Sequence, residues 1–184
     1  MYHVSNNARA RKTARIICGG LAKCLEEKPF KKIRVNDIYE KCYVSRATFY
    51  RMFDSIADVL SYESDSIFEE WMKLDEAMTF PTKKERSLFT ITVWLQHKSF
   101  IKALVDNELG WILLETFSKY SGDLKKIYSI PFDDDKKSDY FISFFSSLIY
   151  ATLVVYFLHN ESESIEEVYE TMSYSTKLLA ETFE

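Results

Sequence analysis

Val44-Ser45-Arg46-Ala47-Thr48-Phe49-Tyr50-Arg51-Met52-Phe53 is the stretch on which the fold turns. Read as a helix with Ser45 as its N-cap, it sorts into faces. Phe49, Met52 and Phe53 fall together by i, i+3, i+4 spacing and make an apolar side. Arg46, Ala47 and Tyr50 share another side, with Thr48 and Arg51 on its flanks. Just upstream, 35–42 reads as a short helix with Val35, Ile38 and Cys42 on one side, and Tyr43-Val44 as a turn. Two short helices joined by a tight turn, the second bearing polar and basic residues, form the helix-turn-helix arrangement.

The polar side of that second helix has the chemistry to read a duplex. Arg46 offers a guanidinium to a phosphate or a guanine edge. Ala47 is small enough to permit close approach, and Tyr50 brings a phenol for a phosphate or a thymine methyl. The competing account is a solvated basic face on an ordinary helix hairpin, and the spacing alone leaves both open.

Working outward, 8–27 predicts a first helix. Ala10, Ala14, Ile17, Cys18, Leu21, Cys24 and Leu25 make its apolar stripe, and Arg11, Lys12, Arg15 and Lys23 lie opposite. Gly19 and Gly20 lower its propensity but would let another helix approach closely. Pro29 ends it. Ser55-Ile56-Ala57-Asp58 has capping-box form and opens a fourth helix, with Val59, Leu60, Ile67, Trp71, Leu74 and Met78 expected inward, broken at Thr79-Phe80-Pro81. Further helices are expected over about 83–105, 109–128, 140–160 and 165–183, with a loop at Ser129-Ile130-Pro131 and Asp133-Asp134-Asp135.

Composition agrees with an all-α fold. The 184 residues include only four Gly and three Pro, too few for the many tight turns of a sandwich or barrel. Charge is uneven. Residues 1–54 carry 12 Lys+Arg against 5 Asp+Glu, a net of +7, and residues 55–184 carry 12 against 23, a net of −11. A basic head on an acidic body suits a protein that touches a polyanion at one end only. Chance clustering on a solvated surface is the plainer account of the same numbers. The expected division is therefore a DNA-binding head over 1–54 and a ligand-binding and dimerisation body over 55–184.

Three cysteines, Cys18, Cys24 and Cys42, have neither a disulfide framework nor zinc spacing, and the N-terminus lacks the apolar run of a signal peptide. A cytoplasmic location is expected, with no metal and no cofactor. Tyr140–Leu158 is nineteen residues without a charge, long enough for a membrane span. Its serines and tyrosines favour instead a helix packed on its own core on one side and on a partner subunit on the other. No Gly-x-Ser-x-Gly, phosphate-binding glycine loop or His-Glu-x-x-His occurs, so no enzyme is expected.

Over about residues 8–60 the sequence resembles the TetR family of bacterial transcriptional regulators. The resemblance rests on Ile33-Arg34-Val35-Asn36-Asp37-Ile38, on the string from Val44 to Phe53, and on Asp58-Val59-Leu60. It implies a dimer of about nine helices per chain, with three in the DNA-binding head and the last two making a four-helix interface with their mates. It implies a near-palindromic operator in double-stranded DNA, and release of DNA when an effector binds the body. Repressors are the commoner kind in that family. Carried over, the recognition positions are Ser45, Arg46, Ala47, Thr48 and Tyr50. Arg34 and Arg51 join them as residues able to reach phosphates.

Three positions depart from the family pattern. Tyr43 stands where glycine is usual, at a cost of about 1 kcal/mol if its φ is positive. Arg34 replaces a capping Ser or Thr, so that cap is expected to be lost. Asp54 and Ile56 stand where a basic residue commonly opens the fourth helix, removing one phosphate partner.

In the body, Trp94, His97, Trp111, Phe117 and Phe145 are candidates to line a pocket for an apolar or aromatic ligand, with packed core as the plainer account of each and solvent for His97. Ser147, Ala151 and Val154, at i, i+4, i+7, are the expected dimer contact. The expected function is a TetR-like dimeric regulator responding to a small molecule or a partner. Its rival is a protein–protein interaction module or coactivator on the same fold with weak DNA binding.

Overall fold

Asn7 accepts a hydrogen bond from the backbone N–H of Ala10 at 2.8 Å and opens α1 (Ala8–Glu27) in the computed structural model, which describes residues 1–129 and 134–182. Ala14, Ile17, Cys18, Leu21 and Cys24 are its buried stripe. After a single 3-10 turn (Phe30–Lys32) come α2 (Val35–Cys42) and α3 (Arg46–Met52). The body follows with α4 (Ile56–Glu76), α5 (Lys83–Gln96), α6 (Lys98–Asp106), α7 (Trp111–Lys119), α8 (Ser121–Ile127), α9 (Asp135–Leu158) and α10 (Ile165–Thr182). The chain is all-α, and the only β pairing among the described residues is an isolated bridge between Tyr2 and Phe53.

Among the described residues there are ten α-helices, where the sequence reading lays out eight and the family resemblance implies about nine; two of the expected long helices are each broken in two. At His97 the backbone leaves helical geometry (φ −100°, ψ 26°). The break redirects the chain: α5 packs on α4 and α10, whereas α6 packs on α1 and α9, and one straight helix cannot serve both sets. At Tyr120 the backbone again leaves helical geometry (φ −99°, ψ 20°), and α8 begins at the next residue. Of the loop expected before α9, Ile130–Asp133 lie outside the described residues. Asp134 caps α9 by accepting from the N–H of Lys136.

α1 lies across α2 because Gly20 lets it. A Cβ there would stand 2.9 Å from the Cβ of Cys42 and 3.0 Å from the carbonyl of Ile38. Gly19 faces away, with nothing within 4 Å of its Cβ position. α4 then links head to body, packing on α1, α5 and α7. Ser55 and Asp58 form the expected capping box at its start. Val59, Leu60, Ile67 and Trp71 are buried as expected, but Leu74 and Met78 are exposed. The inward position of that last turn belongs to Asp75, which faces the Arg86 guanidinium at 3.3 Å. Arg86 also donates to the carbonyl of Ile127, so one cation ties α4, α5 and the end of α8 together. Burial pushes the Asp75 carboxyl above its ordinary pKa, and Arg86 opposes that shift.

α9 is long and apolar enough to cross a membrane, with a mean hydropathy of 2.0, and only 17% of that stretch is buried. Ser138, Ile142, Ser146 and Phe157 face inward. Tyr140, Phe144, Val155 and Leu158 are exposed, as are Tyr174, Leu178 and Leu179 on the neighbouring α10. Such a row of uncovered apolar side chains is unfavourable in water.

Candidate nucleic-acid interface

The local sequence positions the exposed polar face of α3. Phe49 and Phe53 are fully buried and Met52 nearly so, which anchors α3 by its apolar side in the common core, beside α2. Ring contacts of Phe53 with Phe49 and Tyr62 extend that anchor to α4. Burying side chains of this size contributes about 1.5–3 kcal/mol each. The opposite side is then forced outward. Arg46, Ala47, Tyr50 and Arg51 are exposed, and Thr48 is half-buried.

Two of the expected DNA-facing residues are already engaged. The Ser45 hydroxyl accepts from the N–H of Thr48 at 3.2 Å and lies 2.9 Å from its hydroxyl. Ser45 is thus the helix cap, and Thr48 supports it. Arg46 lies over the Tyr50 ring at 5.5 Å, one turn away. Among the described residues Arg34, Arg46 and Arg51 form no salt bridge, so three cationic heads face solvent on this side of the head. Lys28 and Lys41, by contrast, are paired with Asp37 and Glu27.

Tyr43 is left-handed (φ 56°, ψ 32°), so the expected strain is present at the turn. It is also 96% exposed, an aromatic ring with no role in the core. A bulky residue where glycine is usual is the sequence signal that marks this position. Arg34 has no side-chain acceptor and cannot cap α2 itself. Its backbone N–H instead donates to Asp37 at 2.6 Å, so half of a capping box survives. Hydrogen bonds from Lys28 and from that N–H hold the Asp37 carboxyl below its ordinary pKa. Asp54 is exposed and pairs with the N-terminal amine at 3.3 Å and the imidazole of His3 at 3.1 Å.

The body holds a cavity of about 580 Å³ between α4, α5 and α7–α10. Trp94, Phe117 and Phe145 line it, and Trp94 and Phe117 are at the same time part of the buried core. Two other candidates do not. His97 is half-buried at the α5–α6 break, where its backbone serves both helix ends, and Trp111 is 44% exposed at the start of α7. Trp71, Tyr128 and the α10 side chains complete the wall. They are not legible as lining, because spacing along one helix does not say which buried side chains stop short of closing the space between several. A smaller crevice of about 340 Å³ separates α1 from α6 at the head–body junction.

The dimer candidates Ser147 and Ala151 are exposed and Val154 is half-buried, within the uncovered side of α9. Among the described residues no cluster of three His, Cys, Asp or Glu side chains is placed to hold a metal.

No protein-family model matches the chain, and no curated protein matches it in sequence. Among solved structures it is similar to Lin0861 from Listeria innocua, with a TM-score of 0.82 at 18% identity, covering 96% of this chain and 96% of that one. At that identity the likeness establishes the fold alone, over essentially the whole length.

Proposed function

We propose that this chain is a TetR-like transcriptional regulator, acting as a repressor: a homodimer that binds a near-palindromic operator through α2 and α3 and is released by an effector in the body. One observation carries the reading. The side of α3 opposite its buried phenylalanines presents Arg46, Ala47, Tyr50 and Arg51 to solvent, free of salt bridges among the described residues, on the net-positive head of a net-negative chain. Groups of that kind are what phosphate positioning and base-edge reading require.

The dimer part of the proposal is supported by the uncovered apolar sides of α9 and α10. A second copy related by a two-fold axis would cover both at once and set two heads at a fixed spacing. Two major-groove readings about 34–36 Å apart then fall on one side of a duplex. The cytoplasm is the compartment such a role needs, and there Cys18, Cys24 and Cys42 remain as the free thiols they are here.

Selection of bound duplexes from a random pool, using the full-length protein, tests the reading. The expected result is enrichment of a site with two related half-sites. A folded dimer that enriches no duplex would overturn it and leave the protein-partner role on the same fold.

A further inference from the structure

The wall of the body cavity has a division of chemistry that names a class of ligand. Its deep side is aromatic, built from Trp71, Trp94 and Phe117. The polar atoms there already satisfy one another. The Trp71 indole N–H donates to Thr90 at 3.3 Å, the Thr90 hydroxyl donates to the Arg86 carbonyl at 2.9 Å, and the Tyr128 hydroxyl lies 3.3 Å from Thr90. The buried polar side-chain atoms that lack a hydrogen-bond partner among the described residues belong to Asp75, Arg86 and Ser138, and none of those residues lines the cavity. A polar group carried into this end would lose its water and find at most the Tyr128 hydroxyl to share, so the end favours an apolar one.

At the other end stands Lys177, on the side of α10 that also carries Ser173 and Thr176. It is the one charged residue among those lining the cavity, and no carboxylate lines it. Lys177 is exposed and forms no salt bridge among the described residues. The nearest acidic side chain toward the start of α10, Glu170, is taken by Lys84. Glu181, one turn further along α10, forms no salt bridge with it among the described residues, so the ammonium at the exposed edge of an apolar cavity stays open to an anion whose remainder is apolar.

We propose that this cavity binds an amphipathic carboxylate, its hydrocarbon part against Trp71, Trp94 and Phe117 and its head beside Lys177 at the mouth. The volume of about 580 Å³ falls in the range of about 300–1,000 Å³ usual for a small-molecule site. The inference deepens the regulator reading, and rests on it only for the consequence of binding, not for the binding itself.

Dodecanoate, dodecanol and dodecylamine share one tail and differ in the charge of the head. Each is titrated below its micelle or solubility limit into the full-length protein, with the change in tryptophan fluorescence as the readout, Trp71 and Trp94 lining the cavity. Dodecanoate is expected to bind about tenfold more tightly than dodecanol, with dodecylamine weakest, since one charge-assisted contact is worth about that factor. Lys177→Met keeps the apolar stem and should abolish the preference for the acid over the alcohol, while Lys177→Arg should keep it. Because Lys177 is exposed, neither change should unfold the chain, and circular dichroism checks this. Equal binding of acid and alcohol, a preference that survives Lys177→Met, or no binding of any of the three would overturn the proposal. Duplex selection is a separate measurement, so this proposal and the regulator reading fail independently.

Discussion

The hydroxyl of Tyr2 donates to the carboxylate of Asp65 in α4, while the backbone of the same tyrosine bridges to Phe53 at the end of α3. Lys119 of α7 completes the knot, 2.6 Å from Asp65 and 3.1 Å from the Tyr2 hydroxyl. The first residues of the chain therefore strap the end of α3 to α4 and α7. Tyr120, next to Lys119, stacks on Phe68 at 4.6 Å, and Phe68 touches Trp71, Trp94 and Phe117 of the cavity wall. Packed side chains thus run without a gap from the cavity to Phe53.

Tyr2→Phe removes one donor to the buried Asp65 and leaves Lys119 in place. The expected cost is about 1–2 kcal/mol, read as a lower urea midpoint with an unchanged slope. Lys119→Met leaves the carboxylate with only a phenol and should cost more, roughly 2–3 kcal/mol once the solvent exposure of Lys119 is discounted. If both variants match the wild type, the strap is a surface contact without energetic weight.

Alkaline pH should loosen the same region. Burial pushes the phenols of Tyr2, Tyr62, Tyr120 and Tyr128 above their ordinary range, and Asp65 adds to the rise at Tyr2 and Tyr120. An acid with a raised folded pKa holds its proton more tightly when folded. Between about pH 10, where an unfolded phenol titrates, and the higher folded value, the folded state binds more protons than the unfolded. Stability is therefore full below about pH 10 and falls as pH rises through that window. Denaturant midpoints measured across it should fall for the wild type and fall less steeply for Tyr2→Phe. Parallel curves would remove Tyr2 from the account.

Adjacent glycines in α1 should respond with opposite sign. Gly19→Ala adds a methyl in open space and gains helix propensity, about 0.5–1 kcal/mol of stability. Gly20→Ala gains the same propensity but drives a methyl into Cys42 and the Ile38 carbonyl. That clash should cost about 1–3 kcal/mol and outweigh the gain. Thermal melts of the two variants should move to opposite sides of the wild type, and a stabilised Gly20→Ala would mean that α1 and α2 separate cheaply.

How much of the molecule is legible in its sequence depends on the reach of the forces involved. α1 and α2 have the bounds the sequence predicts, because Pro29 acts locally and apolar spacing is read within one helix. The splits at His97 and Tyr120 are not legible, since they arise from which distant helices α5–α8 must touch. Leu74 and Met78 fit an apolar stripe, yet the buried position goes to Asp75, whose partner Arg86 is eleven residues away on another helix. Trp94, Phe117 and Phe145 do line the cavity and Trp111 does not. An aromatic residue in a helical pattern announces burial, not the void beside it.

Ala151→Arg tests the dimer. Ala151 is exposed on the uncovered side of α9, and a two-fold contact would set each introduced charge near its mate. Light scattering should report a monomer, and duplex binding should weaken once the heads are no longer paired. A dimer of wild-type stability would move the interface away from Ala151.

Arg46 and Tyr50 carry the claim about DNA, and the stacking between them makes it testable in stages. In the free protein the guanidinium rests over the ring, so the two side chains are held on one face before any duplex arrives. Tyr50→Phe keeps the ring and the stacking but removes the hydroxyl; if that hydroxyl meets a phosphate, affinity should fall by about 0.5–1.5 kcal/mol for all sequences alike. Arg46→Ala separates two roles. If it reads a base, binding should weaken by about 1–3 kcal/mol and specificity should relax at one base pair in each half-site. If it holds a phosphate, affinity should fall evenly, and the dependence on salt should flatten by about one unit for each phosphate no longer neutralised. Neither change should unfold the head, because Phe49 and Phe53 supply its core from the opposite side of α3. Gel-shift titrations on the selected duplex at two salt concentrations distinguish these outcomes. Wild-type affinity and specificity in both variants would mean that this face of α3 does not enter the groove.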